Sequence, residues 1–222
     1  MSQLDQPWEA QEITITSAGK RLKADLSLPG GATGLVIFAH GSGSGRSSPR
    51  NRAVAQTLQQ AGLGTLLMDL LDQHEQRIDE QTAHLRFDIP LLAVRLIDAV
   101  DWAAADSRTE KLRLGLYGAS TGAAAALLAC AQKAQAVRAI VSRGGRPDLA
   151  GEGLAQVTVP VLLIVGALDV QVLEMNRHAA RMIAGPCEVA IVPGASHLFE
   201  EPGTLEQAAL LTRDWFLKHL TG

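Results

Sequence analysis

Only two cysteines occur in the 222 residues, Cys130 in a predicted helix and Cys187 at the start of a predicted strand. Two thiols so placed provide no disulfide framework, and they point to a reducing compartment. Basic charge is not in excess either. Twenty Lys and Arg stand against 23 Asp and Glu, a formal net charge of -3, which excludes the positive field that nucleic-acid binding requires. The first residues, MSQLDQPWEAQEITITSAGK, lack a basic start followed by an apolar run, and no stretch approaches the roughly 18 continuous apolar residues of a membrane span. The expectation is a soluble cytoplasmic protein with neither a nucleic-acid nor a membrane partner. Internal repeats are missing, and HGSGSGRSSP is the single low-complexity tract.

What is abundant is apolar material, 47% of the chain against 19% charged residues. At this length the composition suits one domain, residues 1–222, with one core. Residues 12–28, EITITSAGKRLKADLSL, alternate polar and apolar around Ser17-Ala18-Gly19-Lys20, the pattern of two half-buried antiparallel strands and a tight turn. Short continuous apolar runs follow: LVIFAH, GTLLMDL, LRLGLYG, VRAIVS, VPVLLIVG and CEVAIVP. Each reads as a buried, mostly parallel strand. Helical patterns separate them. Asp88 can cap a helix with Pro90 in its first turn and Ile89, Leu92, Leu96, Ala99 and Ala103 on one face. Thr204 and Gln207 form a candidate capping box ahead of Leu205, Ala208, Leu211 and Trp215. The expected fold is therefore α/β: about eight strands, two antiparallel at the edge and six in βα units, with helices on both faces. Ligands bind such sheets beyond the carboxyl ends of the strands, so the residues just after each apolar run carry the interest.

Ser120 is one of them. It lies in Gly118-Ala119-Ser120-Thr121-Gly122, between the strand LRLGLYG and the alanine-rich helix TGAAAALLACAQKA. This is G-x-S-x-G in the strand-turn-helix context that a nucleophile elbow needs. Shuffling this composition produces the motif in roughly one chain in ten, so its placement matters more than its occurrence. A serine hydroxyl needs a base, itself oriented by a third group. His197 follows the last strand and Asp169 the strand before it, in the chain order Ser, Asp, His. Asp169 would equally serve as the N-cap of VQVLEMNRHAARMI, and Glu174 is the nearby substitute. For an oxyanion hole, the Thr121 amide supplies one donor and the glycine-rich turn after LVIFAH supplies Ser42 as the second. That turn is not a phosphate loop: G-x-G-x-x-G fails at Arg46, and Gly-Lys-Ser and Gly-Lys-Thr are missing.

Taken together, HGSGSG at 40–45, GASTG at 118–122, VGALD at 165–169 and GASH at 194–197 resemble the serine α/β-hydrolases, and among them the small, lidless dienelactone hydrolase-like proteins. The resemblance covers nearly the whole chain. It implies Ser120 as nucleophile, Asp169 as acid, His197 as base and the Ser42 and Thr121 amides as oxyanion donors. Dienelactone hydrolases proper use cysteine at the elbow, so the resemblance describes architecture rather than substrate. The function implied is cleavage of small carboxylic esters, or of thioesters, through an acyl-enzyme, with a small-molecule acyl ester as partner and no cofactor. Acyl transfer to another acceptor and a non-catalytic binding module remain alternatives, and monomer and homodimer both fit.

Two stretches stay open. RGGRPDLAGEGLAQVT, 143–158, is too short for a helical lid. In it Arg143 and Arg146 follow a strand end, where an arginine holds either a substrate carboxylate or an ion pair with Asp148 or another loop carboxylate. The segment Met68–Asp88 contains Asp69, Asp72, His74, Glu75 and His84, whose spacing matches no compact metal-ligand set; it reads as a polar, mobile loop bordering the site.

Overall fold

A computed structural model describes residues 9–221; the first eight residues, part of the N-terminal stretch read above for targeting signals, lie outside it. Eight strands form one sheet in the order β1-β2-β4-β3-β5-β6-β7-β8. β1 (Gln11–Ser17) and β2 (Lys20–Ser27) are the antiparallel hairpin, in register from Gln11 opposite Leu26 to Ser17 opposite Lys20, and they turn on Ala18 and Gly19, both at positive φ. β2 pairs antiparallel with β4 (Gly64–Met68). β4, β3 (Gly34–Ala39), β5 (Arg113–Ala119), β6 (Val137–Arg143), β7 (Val161–Gly166) and β8 (Cys187–Val192) then run parallel. The chain reverses its direction of travel across the sheet between β3 and β5, and the crevice beyond their carboxyl ends is where such sheets bind ligands.

Helices α1 (Pro49–Gln60) and α6 (Thr204–Leu220) cover one face, packing Val54, Leu58, Phe216 and Leu220 on Val36, Phe38 and Val141. Helices α3 (Ile89–Ala105), α4 (Thr121–Gln132) and α5 (Val170–Met182) cover the other face, over Leu35, Ile37, Leu116 and Leu163. α3 has the predicted cap: the Asp88 side chain accepts from the Leu91 amide, and Ile89, Leu92, Leu96, Ala99 and Ala103 are all buried. α4 is buried on nearly every side, as an apolar, alanine-built helix without a polar face must be.

Three expectations need correction. The capping box at α6 does not form: Gly203, at φ 80°, occupies the cap position, and the Thr204 hydroxyl instead donates to the Glu201 carbonyl at 2.7 Å. β8 is not fully buried, because it is the sheet edge and leaves Glu188 and Ile191 exposed. The Met68–Asp88 segment is not a loop throughout. It holds helix α2 (Gln73–Thr82), opened by a capping box in which Asp72 accepts from the Glu75 amide at 2.7 Å and Glu75 accepts from the Asp72 amide at 2.9 Å. Buried Glu75 also accepts from buried Arg95 at 2.7 Å, and buried Asp79 accepts from the Arg86 amide and Nε at 2.9 and 2.6 Å. Burial pushes the Asp79 carboxyl up, but these hydrogen bonds outweigh it and hold the group below the usual carboxylate range. His74 and His84 are exposed. Among the described residues, no helix is long and apolar enough to cross a membrane.

Candidate active site

Ser120 stands between the last residue of β5 and the first of α4 with φ 50° and ψ −121°, a backbone conformation that costs a side-chain-bearing residue about 1–3 kcal/mol. Its neighbours hold it there. A Cβ on Gly118 would lie 2.4 Å from the Ala123 Cα, and one on Gly122 would lie 2.4 and 2.5 Å from the Ala39 and His40 carbonyl oxygens. Only glycine lets β5, its turn and the end of β3 approach so closely. The Ser120 amide donates to the Arg143 carbonyl at 3.2 Å, and its carbonyl accepts from the Ala123 and Arg146 amides, each at 3.1 Å. A Cβ on Gly41 would sit 3.1 Å from the Ser120 Cβ, so the glycine-rich loop lies directly against the serine.

His197, in the loop after β8, donates from Nδ1 to Asp169 Oδ2 at 2.6 Å. Asp169 occupies the N-cap position of α5, but its side chain caps nothing there. The two loops are laced together: the Leu168 amide donates to the Ala195 carbonyl at 2.9 Å, and a Cβ on Gly166 would fall 2.3 Å from that same oxygen. Glu201 fastens the histidine loop further by accepting from the Ser196 amide at 3.0 Å; hydrogen bonds from the Ser196 side chain and amide hold its carboxyl below the usual range. Glu174, the substitute acid, is exposed and paired with Arg177 at 2.6 Å, and makes no bond with His197.

Ser120, His197, Ser42 and Arg143 line one small pocket of about 220 Å³. Ser120 and His197 share it without hydrogen-bonding to each other, and contacts of this kind tighten when substrate binds. The Thr121 amide begins α4, where the first N–H groups have no intrahelical acceptor, and the buried Thr121 hydroxyl has no hydrogen-bond partner among the described residues. A cavity of about 1000 Å³, lined by the glycine-rich loop and Thr121 among others, shares Gly41, Ser42, Ser44 and Ser48 with the small pocket.

The Arg143–Asp148 ion pair does not form. Asp148 is held by Arg146, at 2.9 and 2.7 Å. Arg143, the last residue of β6, is buried: its Nε donates to the Tyr117 hydroxyl at 2.6 Å, its Nη2 to Asn51 Oδ1 at 3.3 Å, and its guanidinium lies 5.5 Å from the Phe199 ring centroid.

Two contributors escape a reading of the sequence. The Leu70 amide donates to His40 Nε2 at 3.1 Å, which makes Nε2 an acceptor and leaves the ring proton on Nδ1, 2.9 Å from the Gly41 carbonyl. His40 is thus a neutral bridge between the loops after β3 and β4, and burial pushes its pKa down. Arg46 ties the glycine-rich loop to β1, β2 and the end of β4 through Glu12, Asp25 and Asp69. The one sequence signal for either was position: His40 directly follows a core strand, and Arg46 breaks the glycine-serine alternation. Burial pushes the Cys130 thiol up to about 12 and the Cys187 thiol up to about 11, so both stay protonated and neither supplies a thiolate nucleophile. Among the described residues, no group of three or more His, Cys, Asp and Glu is placed to hold a metal ion.

The fold, the strained serine elbow and the loops after β3, β7 and β8 define an α/β-hydrolase. An alpha/beta hydrolase domain model matches residues 32–211, and the chain belongs to that family, on its dienelactone hydrolase-like side. It is 52% identical to a solved dienelactone hydrolase from Anabaena variabilis, with a TM-score of 0.93 over 96% of this chain and 99% of that one. Est1E from Butyrivibrio proteoclasticus, at 18% identity, shares the fold with a TM-score of 0.78 over 93% of this chain and 98% of its own. Two Mycobacterium tuberculosis proteins, from strains CDC 1551 and H37Rv, bear the provisional name phosphoribosyl transferase and are 52% identical over 218 residues. The match takes in 98% of this chain and 48% of theirs, so the chain spans about half the length of these curated relatives.

Proposed function

We propose that the chain is a serine hydrolase that cleaves small carboxylic esters through an acyl-enzyme on Ser120. The observation that carries this reading is the strained Ser120 sharing a pocket with His197, whose other ring nitrogen is 2.6 Å from Asp169. In the proposed reaction His197 takes the Ser120 proton at Nε2 as the oxygen attacks the ester carbonyl. Asp169 holds the imidazole in the tautomer that leaves Nε2 free to accept, and it stabilises the imidazolium that forms. The Ser42 and Thr121 amides receive the negative charge developing on the carbonyl oxygen, with the positive end of α4 behind them. His197 then returns its proton to the leaving alcohol, and a water activated by the same nitrogen releases the acid.

The name phosphoribosyl transferase belongs to proteins of which this chain matches one half, and it is not carried over. The hydrolase reading is tested with a fluorophosphonate probe and p-nitrophenyl acetate. Stoichiometric labelling is expected on Ser120, together with hydrolysis that Ser120→Ala lowers by at least about 10³-fold. Absence of labelling in the folded protein, or labelling that survives Ser120→Ala, overturns it.

A further inference from the structure

We infer that the two cavities sharing the glycine-rich loop divide the substrate by direction, the small pocket taking the alcohol and the large cavity the acyl group. The substrate class is then esters that join a bulky, uncharged acyl group to a small alcohol. The inference rests on the hydrolase reading above and adds to it the direction in which an ester lies across Ser120.

Four groups surround the carbon that Ser120 attacks: the serine oxygen, the oxyanion, the leaving oxygen and the first carbon of the acyl group. The Oγ–C bond forms, the C–O bond to the alcohol breaks, and the proton lost by Ser120 passes through His197 Nε2 to the departing alcohol. The leaving oxygen must therefore face His197. That side chain lines the small pocket and not the large cavity, so the alcohol is confined to about 220 Å³. The oxyanion donors lie differently. Thr121 lines the large cavity and Ser42 lines both, which puts the carbonyl oxygen on the boundary between the two spaces. With three of the four groups so placed, the acyl carbon is directed past Ser42 into the large cavity.

Size agrees with this division. Sites for ligands of moderate size have volumes of roughly 300–1,000 Å³; the large cavity, at about 1000 Å³, reaches the top of that range and the small pocket falls below it. The walls of the large cavity define the chemistry. Leu70, Leu71 and Leu92 contribute buried apolar side chains. Arg46 pairs with Asp25 and Asp69, Arg52 with Asp25 at 3.5 Å, and Arg86 with Asp79 at 2.6 Å. Each arginine lining the cavity thus has an acid already, and the remaining charge there, Glu80, is an exposed carboxylate. A negatively charged acyl group would have to displace one of these acids at the cost of leaving it unpaired. An uncharged acyl group with an apolar body fits without that cost.

Two isomeric esters test the direction, because they carry the same groups in opposite order. Methyl 3-phenylpropanoate places the phenylethyl group on the acyl side, and 2-phenylethyl acetate places it on the alcohol side. With each kcat/KM divided by the ester's own rate with hydroxide, the methyl ester is expected to be preferred by about 10- to 100-fold, the gain from burying one large apolar group. Gln76→Trp, which fills the large cavity from α2, is expected to cut this preference at least about fivefold by slowing the methyl ester. Leu198→Ala, at a small-pocket residue with 41% of its surface exposed, is expected to narrow it from the other end by speeding 2-phenylethyl acetate. Methyl 3-(4-carboxyphenyl)propanoate is expected to be slower than its uncharged parent by about tenfold. Equal rates for the isomers, or preference for 2-phenylethyl acetate, overturn the inference and leave the hydrolase reading standing as long as Ser120 cleaves p-nitrophenyl acetate. A preference unchanged in both folded variants also overturns it, and the wild-type comparison decides alone if neither variant folds. A carboxylate-bearing ester faster than its parent overturns the uncharged class. If none of these esters is cleaved, p-nitrophenyl acetate included, both readings fall.

Discussion

The His197 imidazole and the Asp169 carboxylate are joined at 2.6 Å across two separate loops, although Asp169 begins a helix and has amides of that helix within its own sequence neighbourhood. The side chain serves the histidine instead of the helix. Asp169→Asn is therefore expected to lower kcat/KM for p-nitrophenyl acetate by about 10³- to 10⁴-fold, because an amide no longer enforces the tautomer or stabilises the imidazolium. Thermal stability is expected to stay within about 0.5 kcal/mol of wild type, since no helix cap is removed. Activity within a few-fold of wild type contradicts this assignment of Asp169.

Backbone strain at Ser120 has a measurable signature. Glycine adopts φ 50° and ψ −121° freely, so Ser120→Gly is expected to relieve about 1–3 kcal/mol of strain, less about 0.5–1 kcal/mol for its more flexible unfolded chain. The net expectation is a gain of about 1 kcal/mol in urea denaturation, with activity lost. Ser120→Ala keeps a Cβ and should show no such gain. Equal stabilities for the two variants would mean that the elbow stores no strain.

A pH dependence follows from His40. Its pKa in the folded protein lies below the ordinary 6.5 because burial disfavours the charged ring. Above that ordinary value the folded and unfolded chains both hold a neutral imidazole, and its contribution to stability is complete. As pH falls through 6.5 the unfolded chain binds a proton that the folded chain resists, so stability drops until the folded ring is also protonated. Urea midpoints measured from pH 7.5 to 5.0 should fall more steeply for wild type than for His40→Gln. Parallel curves would remove His40 from the acid sensitivity of this fold.

The six parallel strands are legible in the sequence because each is a short apolar run closed by a glycine or a polar residue, the hairpin because it alternates, and the placement of Ser120, Asp169 and His197 follows from strand ends alone. α1 and α2 are illegible for one shared reason. Each buries polar residues on its inner face: Asn51 beside Val54 and Leu58 in α1, and Glu75 and Asp79 in α2. Their partners come from distant segments, Arg143 for Asn51 and Arg95 for Glu75. Binary patterning treats such positions as exposed. A local clue to α2 was nevertheless present, since Asp72-x-x-Glu75 is itself a capping-box pattern. The surroundings of Arg143 are a matter of register: Tyr117 and Arg143 lie on neighbouring strands, and only the pairing of Ala119 with Arg143 brings the phenol alongside the guanidinium.

Glycines 41, 118, 122 and 166 set the distances between the loops that carry Ser42, Ser120, Asp169 and His197, and all four lie close against neighbouring carbonyl oxygens. The spacing of the site is thus dictated by main chain resting on main chain, with few side chains acting as spacers. Such a frame is indifferent to the reactive groups mounted on it. Exchanging a hydroxyl for a thiol at the elbow, or repainting the pocket wall around Arg143, leaves the scaffold dimensions where they were. New chemistry can therefore arise here by changing the tool without re-machining its holder.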